Sequence, residues 1–382
     1  MMKAIQIVKP GEVTLIDISP PAIKPDEVLV KIHYAGFCGS DLNTYLGKNA
    51  MAKVPVIPGH EIGGVIEAIG ANVPTIQSDI ALGNHPKFGI ASEAYSDHSR
   101  LGIVSRYVED INKRPQLPLI PGTPCTINPY TTCGNCSSCR NGRPNACRFN
   151  QTLGVQRDGA MCEYIAVPWE KVIADAYISP KDFCFVEPMS VGFHAVDRGE
   201  VTARDTVMVI GCGMIGIGAT VGATLRGAQV IAVDIDDNKL SIAKQLGAAF
   251  TINSLTENVQ ECLQTITGDF GADIVIEAVG SPATYQMAVN VTAFTGRVVC
   301  IGYAKEPIAF ETKYFVQKEL DIRGSRNATP KDFRTVMEYL KRGTCPIDLL
   351  ISGIYNPEQV EEAFQCWITE PAQIFRIITE FD

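Results

Sequence analysis

With 382 residues, 46% of them hydrophobic and 20% charged, the chain has an ordinary globular composition and is too long for one compact core, so two domains are expected. A formal net charge of −9 argues against a nucleic-acid-binding surface, and no apolar run approaches the length of a membrane span. Thirteen cysteines, an odd number in a large chain, point to metal ligation in a cytoplasmic protein rather than to a disulfide framework.

Met1–Ile5 runs straight into strand-like alternation, which leaves no room for a signal peptide. Residues 3–8 and 12–16 read as a hairpin turning at Pro10-Gly11, and Val28–Tyr34 alternates as a half-buried strand does. That strand delivers the chain to Gly36-Phe37-Cys38-Gly39-Ser40-Asp41. A second Gly-flanked turn, Pro58-Gly59-His60-Glu61, opens another strand through Gly70. The first 75 residues therefore read as all-β. The two turns carry one thiol, one imidazole and one carboxylate, a donor set suited to Zn²⁺. Residues 76–116 show no sustained period. A short helix is expected near Ile103–Ile111, and His85 and His98 read as solvated loop side chains.

After Pro121-Gly122 come Cys133, Cys136, Cys139 and Cys147, at offsets of three, three and eight with small, turn-forming residues between them. Such spacing lets four thiolates close into a tetrahedral cage, as a structural zinc site requires. Glu163–Pro168 is expected to be a strand and Val191–Val196 part of a helix. Glu187, just before that helix in an apolar setting, is either an N-terminal cap or a site residue. His194, on the helix face, reads as a core residue.

From Asp205 the period changes. The buried-type strand Thr206–Ile210 leads into Gly211-Cys212-Gly213-Met214-Ile215-Gly216, then a helix over 217–226, a strand over 229–233, and Asp234, 23 residues after Gly211. A lone G-x-G-x-x-G is weak, but this strand–turn–helix context with an acidic residue ending the next strand is the one dinucleotide binding requires. Gly211 permits the tight turn, Gly213 lets backbone N–H groups approach a pyrophosphate, and Gly216 allows helix–strand contact. Asp234 would accept hydrogen bonds from the adenosine ribose. No Arg follows to receive a 2′-phosphate, so NAD is expected over NADP. Strands at 250–252, 272–277, 297–303 and 320–324 alternate with helices at 242–246, 259–267, 285–291 and 331–342, giving a doubly wound parallel sheet of about six strands.

Taken together, these motifs resemble the zinc-containing medium-chain alcohol dehydrogenase superfamily, and more closely its sorbitol (polyol) branch. The resemblance implies an α/β protein: a Rossmann domain at 188–324 and a mainly-β GroES-like catalytic domain, discontinuous in sequence, at 1–187 and 325–382. The second domain would carry a structural-zinc lobe at about 130–150 and an unusual insert at about 76–116. The resemblance further implies two zincs per chain. Cys38 and His60 would ligate the catalytic zinc, with Glu61 near or exchanging and Glu187 bound directly or through water. Cys133, Cys136, Cys139 and Cys147 would hold the structural zinc. Ser40, Glu61 and Glu187 would serve catalysis, and Gly211, Gly213, Met214, Ile215, Gly216, Asp234, Ile301 and Arg326 would bind NAD. Asn43 stands where many members carry a proton-relay His.

The implied activity is NAD-linked oxidation of a secondary hydroxyl in a small polyol or sugar acid. Gly154–Gly159, Ser190–His194 and Gly324–Asn327 look most like enzymes acting on C5 of L-galactonate or L-gulonate. L-threonine 3-dehydrogenase and general alcohol dehydrogenase are the alternatives, and a nucleotide-binding sensor without turnover is a remote one. A cytoplasmic homodimer or homotetramer is expected.

Overall fold

Apolar side chains at every second position of one segment meet those of another, and this pairing sets the first sheet. The structure, a computed structural model, describes residues 1–74, 119–371 and 373–381, so the insert expected at about 76–116, its expected helix, His85 and His98 lie outside the described residues. Strands β1 (Met2–Lys9) and β2 (Glu12–Ile18) form the expected hairpin. Next come β3 (Glu27–Gly36), β4 (Glu61–Ile69), β5 (Pro124–Ile127), β6 (Tyr164–Pro168) and β7 (Val172–Ala174). Val28, Val30 and Ile32 of β3 and Ile62 and Ile66 of β4 are at most 1% exposed. Burying each such side chain contributes roughly 1.5–3 kcal/mol, which fixes the register because a one-residue slip would expose all of them.

From Thr206 onward the sheet is parallel: β8 (Thr206–Ile210), β9 (Gln229–Asp234), β10 (Phe250–Asn253), β11 (Ala272–Glu277), β12 (Thr292–Cys300) and β13 (Asp321–Gly324). Their order is β10-β9-β8-β11-β12-β13, so the chain reverses its direction of travel between β8 and β11. In such sheets ligands bind in the crevice beyond the strand carboxyl ends at that switch point. The chain then returns to the first sheet: β14 (Gly353–Tyr355) pairs with β15 (Ile377–Glu380), and β15 pairs antiparallel with β3. Among the described residues no helix is long and apolar enough to cross a membrane.

Four local expectations need correction. The first 75 residues are not all-β, because Gly39–Tyr45 is a helix whose N-cap is Cys38. Seven residues carry too few turns for an apolar period to show. The helix expected at 191–196 runs Val186–Gly199, starting right after a short helix, Pro180–Phe183, that Ser179 caps. The helix expected at 242–246 starts at Asp237, where Asp236 accepts a hydrogen bond from the Lys239 N–H at 2.9 Å. Strand β12 begins at Thr292, before the apolar run at 297 that signals it.

Helix Val186–Gly199 straddles the 187/188 border expected between the domains and packs closely on helix Met214–Leu225. A Cβ at Gly192 would lie 2.2 Å from the Ile215 carbonyl oxygen, so the backbones touch there. Gly192→Ala must therefore push the helices apart. We expect it to lower stability by about 1–3 kcal/mol. Thermal melts check this, and an unchanged midpoint would show that the two helices do not need backbone contact.

Candidate active site

Strand pairing brings the first donors together. In the β3–β4 register Gly36 faces Glu61, so the residues just past one strand end and just before the other strand start converge. Those residues are Cys38 and His60. The ligand atoms of Cys38, His60 and Glu61 all lie within 4.8 Å of one another. The same strand end receives β15: the Phe37 N–H donates to the Ile377 carbonyl at 3.0 Å, which places Arg376 beside Glu61. Arg376 Nη1 stands 2.9 Å from both Glu61 oxygens but hydrogen bonds only Oε1. Oε2 is left without a hydrogen-bond partner.

Glu187 lies in the first turn of its helix and does not cap it. Its carboxylate instead accepts a hydrogen bond from the buried Tyr130 hydroxyl. Tyr130 is itself held by its N–H to Asn128 Oδ1 at 3.1 Å and by Lys171 Nζ on its carbonyl at 2.6 Å. Asp41, fully buried, accepts from the Cys38 N–H at 2.8 Å. Ser40 Oγ and His60 Nδ1 are buried with no partner.

The electrostatics follow from burial. Desolvation pushes the Glu187 carboxyl up to about 7, partly offset by His60, and lifts Asp41 to about 6. Burial pulls the His60 imidazole down, but Cys38, Asp41 and Glu187 outweigh it and hold the group well above its usual range. Tyr130 is raised by burial and by Glu187. Several buried acids without enough cations, and orphaned donor atoms among them, are what a divalent cation satisfies. The thiol, imidazole and carboxylates fit Zn²⁺.

The quartet forms a second cluster. Cys136 Sγ lies 3.5 Å from Cys139 Sγ and 3.8 Å from Cys147 Sγ, and all four thiols are free of disulfides. Tetrahedral zinc with Zn–S near 2.3 Å implies S···S separations of about 3.8 Å. Backbone N–H groups of Cys133, Cys136 and Phe149 point at sulfurs from 3.3–3.4 Å. The Ser138 hydroxyl, with the Cys139 and Arg148 amides, pulls Cys136 down to about 5, while desolvation lifts Cys139 to about 11. This cage fits a closed structural zinc.

A cleft of about 510 Å³ joins the first cluster to the parallel sheet. Cys38, Ser40, His60, Glu61 and Glu187 line it together with Gly213, Met214, Ile215, Gly216, Ile301 and Arg326. Gly211 and Asp234 do not line it. Gly211 makes the turn with φ +95°, and Asp234 accepts from the Cys212, Ile235 and Asp236 N–H groups at 2.6, 2.7 and 3.1 Å. A Cβ on Gly213 would meet nothing within 4 Å, and Gly213 is the N-cap of helix Met214–Leu225, whose first N–H groups have no partner within the helix, as an anion site requires. His194 is buried and bonded to Asp332 and Asn145, a core residue as expected. Sequence reasoning missed Tyr130, Arg376 and Asp41. Asp41 alone had a signal, since it sits in the Cys38 turn.

Comparison with known proteins gives the family. Residues 24–85 and 98–177 match the model for the alcohol dehydrogenase GroES-like domain, and 215–342 match that for zinc-binding dehydrogenase. Sorbitol dehydrogenase of Bacillus subtilis is 28% identical, covering 95% of this chain and 93% of its own. L-galactonate-5-dehydrogenase of Escherichia coli K12 is 25% identical, covering 93% and 92%. The structure of the alcohol dehydrogenase RspB from E. coli CFT073, solved with NADH, superposes with a TM-score of 0.80 at 27% identity over 100% and 99% of the two chains.

In the metal-free protein, Glu187 rises from 4.5 to about 7 on folding, so its protonated form stabilises the fold. That contribution is complete below the unfolded value and is lost as pH climbs through the folded one. Asp41 acts in the same sense between 3.8 and about 6. Melting temperature without metal should therefore fall across this window, and the stabilisation by added Zn²⁺ should grow. Glu187→Gln should flatten the metal-free slope; a slope as steep as wild type would refute the assignment.

Proposed function

The chain belongs to the zinc-binding alcohol dehydrogenase family, and we propose that it oxidises a secondary hydroxyl of a small polyol with NAD⁺ as hydride acceptor. The observation that carries this reading is one cleft holding both the Gly213–Gly216 helix start and the buried Cys38, His60, Glu61 and Glu187 donors. Cys38, His60 and one carboxylate, Glu61 or Glu187, would hold Zn²⁺, and the four-cysteine cage would hold a second. Zinc supplies Lewis acidity: it lowers the pKa of bound water from about 15.7 to about 7, and a hydroxyl responds in the same direction.

The protein's own groups do the remaining work. Ser40 Oγ, buried and unpartnered, relays the substrate hydroxyl proton, taking it as its own hydroxyl proton passes on to water. Asn43 donates its amide to the Gly39 carbonyl at 2.8 Å and cannot titrate, so the proton leaves by a path other than residue 43. Arg376 hydrogen bonds Glu61, and Tyr130 anchors Glu187. Backbone N–H groups at the helix start bind the pyrophosphate, and Asp234 meets the adenosine ribose. An acidic residue there, followed by Ile235, Asp236 and Asp237, disfavours a 2′-phosphate and supports NAD.

Substrate charge follows from what surrounds the donors. Met51, Asn150, Thr152, Gln156 and Trp367 line the cleft and are all neutral, and its cations are Lys239, Arg326 and Arg376. Arg376 is committed to Glu61 and to the Phe37 carbonyl. A neutral polyol needs no free cation, whereas a carboxylate does. Arg326, which lines the same cleft, and the likeness to L-galactonate-5-dehydrogenase favour a second reading, a hexonate. The proposal carries with it a cytoplasmic homo-oligomer.

A panel of four- to six-carbon polyols, hexonates, threonine and short alcohols with NAD⁺ should give the highest kcat/KM for a polyol. A preference for threonine or ethanol would overturn the substrate class. Cys38→Ala and His60→Ala should each lower kcat by at least about 1000-fold while NADH binding survives. Near-native turnover in either variant would remove the zinc-based reading.

A further inference from the structure

We propose that Asn145, inside the four-cysteine lobe, is a positioning residue that clamps the Arg326–Asn327 turn at the cofactor cleft, so that cofactor affinity depends on the lobe. The inference rests on the reading of that cleft as an NAD site. Arg326 and Asn327 line the cleft alongside Gly213 and Met214. Asn145 holds their backbone and side chain reciprocally: its Nδ2 donates to the Arg326 carbonyl at 2.8 Å, and Asn327 Nδ2 donates back to the Asn145 carbonyl at 3.0 Å. Asn145 is only 6% exposed, so both bonds are partly shielded from competing water.

The amide orientation is dictated from behind. Asn145 Nδ2 lies 2.9 Å from His194 Nε2, and His194 Nδ1 lies 3.0 Å from Asp332 Oδ2. Asp332 also accepts from the Thr329 N–H and hydroxyl at 2.8 and 2.6 Å, which fixes its carboxylate at the start of helix Pro330–Leu340. A carboxylate can only accept, so the imidazole Nδ1 donates and Nε2 accepts from Asn145. That leaves the second amide hydrogen of Asn145 for Arg326. Asn145 belongs to the short turn Pro144–Ala146, and the next residue, Cys147, places its sulfur 3.8 Å from Cys136 in the cage. Folding of the cage therefore sets where Asn145 stands. Asn327 has φ +54°, a left-handed conformation uncommon outside glycine, and its amide bond to the lobe helps to hold it there.

The test measures NADH binding by fluorescence titration, zinc content and melting temperature for wild type, Asn145→Leu and Asn327→Gly. Leucine keeps the volume and removes both donors; glycine keeps the positive φ and removes the reciprocal amide. Each variant should raise the NADH Kd about fivefold, the order expected for losing one buried hydrogen bond. In Asn145→Leu the KM for NAD⁺ should rise in step. The double variant should be less than multiplicative because both changes open the same clamp. A lower melting temperature with Kd within twofold of wild type in both variants would overturn the clamp and leave Asn145 purely structural. Should Asn145→Leu fail to fold, Asn327→Gly decides alone. Wild-type protein that did not bind NADH would overturn the cofactor reading, and the clamp with it.

Discussion

The antiparallel pairing of β3 with β4 is the constraint on which the site depends. Gly36 opposite Glu61 places Cys38 and His60 within reach of each other although 22 residues separate them in sequence. The pairing is held by apolar side chains on the inner face, so burial of Val28, Val30, Ile32, Ile62 and Ile66 controls the spacing of a thiol and an imidazole that take no part in that burial. The third neighbour, β15, comes from the far end of the chain. Its pairing with β3 carries Arg376 to Glu61, which makes the last strand part of the site rather than an appendage.

Charge explains why these groups are tolerated in the interior. Asp41, Glu61 and Glu187 are each at most 4% exposed, and Arg376 is the only guanidinium hydrogen bonded to any of them among the described residues. Isolated buried carboxylates cost several kcal/mol each and respond by keeping a proton. The raised carboxyls of Glu187 and Asp41 are that response. A divalent cation offers the alternative, since it removes the need for those protons and uses the open atoms of His60 and Glu61. Stability and metal affinity are thus two expressions of one unfavourable burial.

What the sequence made legible was local. The cysteine quartet and the Gly211–Gly216 turn each put their chemistry within one short segment, where spacing alone constrains geometry: the four sulfurs converge, and the turn joins β8 to helix Met214–Leu225. The parallel sheet was legible because Thr206–Ile210, Ala272–Glu277 and their neighbours are short apolar runs separated by helical stretches. Tyr130 and Arg376 were not legible, because each acts on a carboxylate far along the chain: Tyr130 on Glu187 and Arg376 on Glu61. Nothing in a lone tyrosine or arginine announces such a partner. Glu187 could equally have been a cap on sequence alone, and only the tertiary bond to Tyr130 separates the two roles.

The position of Glu187 has a mechanical consequence. Its helix touches helix Met214–Leu225 backbone to backbone at Gly192, so Glu187 is carried by an element packed on the parallel sheet. Cys38 and His60 belong to the other sheet. The buried Cys38, His60 and Glu187 are therefore delivered by elements of two different sheets. Tyr130 follows β5, which pairs with β4, and so belongs to the same sheet as the strands that deliver Cys38 and His60. Its hydroxyl on Glu187 is a tether across the division. The placement of the Glu187 carboxylate against Cys38 and His60 is therefore set in part by one side-chain hydrogen bond between the two sheets.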